Sequence, residues 1–110
     1  MKLHEVVTAI ESVAPLALQE KYDNAGLLCG HRDTDLRAVL VCLDVTEDVI
    51  GEAMELGANL IISHHPVVFS PLKKFTGSTL PEKILLSAIR NEIALYAAHT
   101  NLDNYGNGVN

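Results

Sequence analysis

Leu3, Val6, Val7, Ile10 and Val13 recur at the spacing of one helical face. The pattern predicts an amphipathic helix over 3–13 that stops near Pro15, with a further helical turn within 15–21. Tyr22-Asp23-Asn24-Ala25-Gly26 reads as a turn, residues 26–30 as a short strand bracketed by glycines, and 31–35 as a charged loop. The apolar pattern then changes character. Val39 to Leu43 is a continuous apolar run, expected to be a strand buried on both faces. Thr46 is a natural N-cap, with Glu47 and Asp48 in the first turn of a helix that carries Val49, Ile50, Ala53, Met54 and Leu56 and ends at Gly57. Leu60-Ile61-Ile62 is the next strand, and 66–80 is a loop. Pro81 is expected at the first position of a helix bearing Ile84, Leu85, Ala88 and Ile89, and residues 93–98 form a third apolar strand.

The order β-α-β-α-β implies an α/β fold. Right-handed crossovers make the sheet largely parallel and flank it with helices. At 110 residues, the chain is expected to be a single α/β domain without linker or repeat. Ligands of open α/β sheets bind outside the carboxyl ends of the strands. Those ends carry Asp44, then Ser63-His64-His65-Pro66, then His99 and Asp103. Three of the five histidines therefore fall on one sheet edge beside carboxylates.

That combination suits a divalent metal, because neutral imidazole binds zinc, iron or manganese and a carboxylate neutralises charge. His64 and His65 are adjacent, and in a regular strand they would face opposite ways. Where Pro66 ends the ladder they either share one pocket or hold one metal each. The second option is a dinuclear site, for which Asp103 is the candidate bridging carboxylate. Asp44 reads either as a strand-end residue that helps cap the next helix, the ordinary case, or as a further group touching the site. His4 and His31 read as surface residues, and Lys73 and Lys74 as a solvated pair in the long loop.

Composition narrows the classes. The net charge of −6 argues against nucleic acid as a partner. No apolar run approaches the ~20 residues of a membrane span, and residues 1–5 do not open a secretory signal, so a cytoplasmic location is expected. Cys29 and Cys42 form no CxxC pair and are expected to be reduced, mostly buried thiols. No Gly-rich phosphate loop and no GxSxG elbow occurs.

Several segments resemble a known family. Asp23-Asn24-Ala25-Gly26-Leu27 is similar to its DN-x-GL motif, and Val39 to Thr46 to its first central strand. Ile61 to Phe69 (IISHHPVVF) and Tyr96 to Asp103 (YAAHTNLD) resemble its two signature segments, and Gly108-Val109-Asn110 its GVN. The family is that of the GTP cyclohydrolase type 2 homologues, also called NGG-one-interacting-factor-three-like. The resemblance implies a dinuclear centre of two divalent metal ions in a homo-oligomer, commonly a hexameric ring. His64, His65 and Asp103 match its metal ligands. His99 matches a site-lining, water-contacting histidine and takes the catalytic position.

The label implies metal-dependent hydrolysis of a small, nucleotide-like substrate. The alternative is a non-catalytic metal-binding or regulatory oligomer. Tyr22 stands where the family usually has tryptophan and is expected to serve as an aromatic anchor. The family's remaining ligands, a histidine and a glutamate, come from far beyond residue 110. The chain is therefore expected to be the N-terminal part of a longer protein, inactive alone, weak in metal binding and prone to self-association through exposed apolar surface.

Overall fold

The computed structural model describes residues 1–104. The GVN segment at 108–110 lies outside them. The first helix, α1, spans Leu3–Val13 and is followed by a 3-10 turn at Leu16–Leu18. Pro15 starts that turn, since its ring cannot continue the preceding helix. The strands are β1 (Gly26–Cys29), β2 (Val39–Cys42), β3 (Leu60–Ser63) and β4 (Ala94–Ala97). Helices α2 (Glu47–Leu56) and α3 (Leu80–Arg90) make the crossovers, and a one-turn helix, α4 (Thr100–Asp103), follows β4.

The sheet order is β1-β4-β3-β2. The β2–β3 and β3–β4 pairs are parallel, as the β-α-β-α-β pattern requires, and β1 adds an antiparallel edge against β4. Register is set by alternation. Leu40, Ile61 and Leu95 face a core built with Ile50 and Ala53 of α2 and Ile84, Leu85 and Ala88 of α3. Leu60, Ala94 and Tyr96 face the other way, onto Leu3 and Val7 of α1. Tyr96 is fully buried, and its hydroxyl donates to Glu11 Oε2 at 3.0 Å.

Local signals place the helix ends. The Thr46 hydroxyl accepts from the Val49 N–H at 3.1 Å, and Gly57 closes α2 in the left-handed region at φ 71°. Gly30 is a second position that only glycine fits. Its φ is +118°, and a Cβ there would stand 2.5 Å from the Ala94 Cβ.

Three expectations need correction. The run from Val39 is not buried on both faces: Val41 is 73% exposed and Val39 40%. β2 is the edge strand, and among the described residues α1 alone covers that sheet face, over its other half, so the residues beside Leu60 and Ile62 in register are exposed. Pro81 is the second residue of α3, because Thr79 caps the helix and Leu80 begins it. Tyr22 is 69% exposed and anchors nothing among the described residues.

Candidate metal centre at the carboxyl edge of the sheet

The β2–β3 ladder does not stop with the strands. His64 N–H donates to the Cys42 carbonyl at 3.3 Å, and His65 N–H to Leu43 at 3.1 Å. The Ser63 hydroxyl donates to the His65 carbonyl at 2.8 Å, curling the chain just ahead of Pro66. This turn relaxes the strand alternation. The rings of His64 and His65 lie 5.1 Å apart, on the same side of the edge. The end of β4 is tied in by the Ala98 N–H, which donates to Ser63 O at 2.9 Å. It brings His99 to 5.1 Å from His64 and 5.3 Å from His65, ring centre to ring centre. The three imidazoles form a near-equilateral triangle.

One nitrogen of each ring lies within 4.8 Å of the other two. The partners of the remaining nitrogens fix which ones are available. His64 Nδ1 is 2.7 Å from the Ala98 carbonyl, which can only accept, so Nδ1 carries the proton. His65 Nδ1 is 2.7 Å from Asp44 Oδ1, and His99 Nδ1 is 3.0 Å from Asp23 Oδ1. Carboxylates accept from both. All three rings therefore hold their proton on Nδ1 and keep the Nε2 lone pair for the centre. This is the arrangement by which outer partners orient imidazole ligands. Three imidazole donors at about 2.1 Å from one ion can stand no more than ~3.6 Å from one another, so the cluster would have to close in before all three could share one ion.

Asp103 sits on α4 rather than at a strand end. Its Oδ1 is 3.7 Å from His64 Nε2, and its side chain is half exposed. Asp44 caps no helix, since Thr46 does that, and instead supports His65. Phe69 packs edge-on against His99 at 5.8 Å and flanks that side of the cluster. A cleft of about 270 Å³ opens beside His65, between Asp44, Thr46, Pro66 and Pro81.

The residue that sequence reading missed is Asp23. Its side chain has no solvent exposure. Burial alone would raise its carboxyl. The Thr100 hydroxyl, the His99 ring and the Thr100 and Asn24 N–H groups all donate to it and together bring it down to about 2. The signal was present in the DN-x-GL motif, but a turn-forming Asp-Asn pair hides a long-range role.

Thiol chemistry has no support here. Burial pushes both the Cys29 and the Cys42 thiols up, and at Cys42 the Asp44 and Glu52 charges add to that. Both cysteines are free and half-buried. No helix among the described residues is long and apolar enough to cross a membrane.

Fold and cluster together define an α/β protein with a histidine centre on the carboxyl edge of a largely parallel sheet. The chain belongs to the Duf34/NIF3 (NGG1p interacting factor 3) family, whose model matches residues 1–110. A Clostridium perfringens protein named GTP cyclohydrolase 1 type 2 homolog is 44% identical over 110 residues, covering all of this chain and 42% of that protein. NIF3-like protein 1 of Drosophila melanogaster is 44% identical, over 99% of this chain and 38% of its own length. A crystal structure of a Bacillus cereus protein related to NIF3 superposes with a TM-score of 0.90 at 45% identity, covering all of this chain and 30% of that one. The chain thus spans less than half the length of these relatives.

Proposed function

We propose that the chain supplies one wall of a divalent-metal centre in a metal-dependent hydrolase. His64, His65 and Asp103 hold the metal, and His99 lines the site beside them. The observation that carries this reading is the cluster of three imidazoles, each with its Nδ1 engaged, at Ala98, Asp44 and Asp23, so that Nε2 is left as the ligand atom of each ring. The donor set of imidazole and carboxylate fits zinc, iron(II) or manganese. A bound ion would supply Lewis acidity and a water activated for attack at neutral pH. The chain's own groups do the rest. Asp44 and the Ala98 carbonyl fix the ring angles of His65 and His64, and the cleft beside His65 offers room for a small substrate.

Were two ions bound, His64 and His65 would offer one ligand to each and Asp103 its carboxylate between them. The relatives' name supports a nucleotide-like substrate, opened hydrolytically. A cytoplasmic homo-oligomer is part of the same reading. Loading the protein with Zn²⁺, Fe²⁺ or Mn²⁺ under anaerobic conditions and mapping anomalous scattering tests it. Ion density within bonding distance of His64, His65 and Asp103 is expected, and density elsewhere or none overturns the reading. Bound metal with no turnover across purine nucleotides and phosphoesters would favour a non-catalytic, metal-binding oligomer.

A further inference from the structure

In the centre as proposed Asp23 appears only as a partner of His99 and Asn24 not at all, yet both side chains reach across the molecule. Asp23 Oδ1 meets the His99 Nδ1 at 3.0 Å and the Asn24 N–H at 2.7 Å. Oδ2 accepts from the Thr100 N–H at 2.9 Å and from the Thr100 hydroxyl. Asn24 Nδ2 donates to the Val68 carbonyl at 2.7 Å, three residues beyond His65. The loop that presents the pair is itself tied down. The Glu20 N–H donates to Thr100 Oγ1 at 2.8 Å, and the Ala25 N–H to Gln19 Oε1 at 3.0 Å.

We infer that Asp23 and Asn24 are positioning residues that buckle the two histidine-bearing segments together, Asp23 fixing the tautomer and angle of His99 and Asn24 holding the stretch after His65. The inference rests on the proposed metal centre for its purpose, but its first test needs no metal. A buried carboxylate is a pure acceptor, and four donors converge on this one. His99 must therefore contribute its Nδ1–H and keep Nε2 bare. An amide at position 23 cannot match four donors. With its oxygen on the two Thr100 donors, its NH₂ faces His99. Nδ1 must then accept, and the ring proton moves to Nε2, the nitrogen needed by the centre. Asn24 acts on backbone alone, so it sets the path of residues 66–69 and leaves every ring tautomer unchanged.

Long-range ¹H–¹⁵N spectra of histidine-labelled, metal-free protein at pH 8 report the tautomers directly. The wild type is expected to show His99 as Nδ1–H. Asp23→Asn is expected to switch it to Nε2–H while His64 and His65 stay as they were. Thr100→Val removes the hydroxyl but not the ring contact, so it should lower stability and keep Nδ1–H. That separates positioning from mere structural support. A wild-type His99 protonated on Nε2 overturns the inference, and so does a folded Asp23→Asn that keeps Nδ1–H. Should Asp23→Asn fail to fold, the wild-type and Thr100→Val spectra still decide. Zn²⁺ titration then measures the consequence: because His99 lines the site and does not hold the metal, Kd is expected to weaken by no more than about 10-fold for Asp23→Asn. Wild-type protein that binds no Zn²⁺ would sink the metal reading while leaving the tautomer result standing.

Discussion

The two edges of the sheet carry similar polar groups and use them in opposite ways. At the amino edge, Asn59 is 2% exposed, and its side chain is fully engaged. Oδ1 accepts from the Arg37 N–H and Nδ2 donates to the Asp35 carbonyl, both at 2.9 Å. Lys2 pairs with Asp35 at 2.8 Å. The Asn59 contacts tie the segment before β2 to the start of β3, and the Lys2–Asp35 pair ties that segment to the start of α1. At the carboxyl edge, the bonds to His64, His65 and His99 end on one ring nitrogen and leave the other open. The larger cleft, about 380 Å³, lies at the amino edge between Gly30, Arg37, Asn59 and Ile93. Cavity size and clustered imidazoles therefore point to opposite edges. The proposed function follows the imidazoles, whose directions are fixed by their outer partners.

Mutations should separate the edges. The largest contrast is between Asn59→Ala and His64→Ala. Asn59→Ala takes the side-chain partners from the Arg37 N–H and the Asp35 carbonyl, both on exposed residues, and should cost about 1–2 kcal/mol in urea unfolding. Its folded fraction should bind Zn²⁺ as the wild type does. His64→Ala should change stability by less than about 1 kcal/mol and weaken Zn²⁺ binding by more than ~100-fold, beyond the loss expected of an outer partner. Two similar profiles would break the division between the edges. Asp44→Ala sharpens it. The Asp44 side chain is 58% exposed, so stability should move by no more than about 0.5 kcal/mol, while calorimetry should show ~10-fold weaker metal binding as His65 loses its support.

The smallest effect is one of pH. Glu82 accepts from the Thr76 N–H at 3.0 Å and from the Thr79 hydroxyl at 2.8 Å, and these bonds hold its carboxyl below the ordinary value of 4.5. A carboxyl lowered by folding contributes stability above its unfolded value and loses it as pH falls through the folded one. Urea midpoints should therefore drop as pH falls below 4.5, and Glu82→Gln should flatten that part of the profile.

Much of this was legible in the chain. The β-α-β-α-β alternation, the Thr46 cap and the Gly57 stop are local signals, and local signals survive into the fold. The convergence of His64, His65 and His99 followed from the parallel topology. What escaped notice was non-local. Nothing in the Val39–Leu43 run says whether a second helix covers it, so its exposed face was unreadable. Asp23 is a short polar residue at a turn, where a local role is the ordinary one, and for Asp44 the sequence left capping and a place at the site both open. Only the distance to an imidazole in another segment decides.

Asp23 meets His99 across 76 positions of sequence, and β1 pairs with β4 over a similar span, Gly26 opposite Ala97. The crossovers β2-α2-β3 and β3-α3-β4 close much shorter loops. Closing a longer loop costs more chain entropy before any contact rewards it. The β3-α3-β4 crossover by itself sets His99 beside His64, through the Ala98 N–H on Ser63 O. What docking of the N-terminal strand adds is the Asp23 bond, so a chain with β1 undocked would hold three imidazoles at one edge with only two of them oriented.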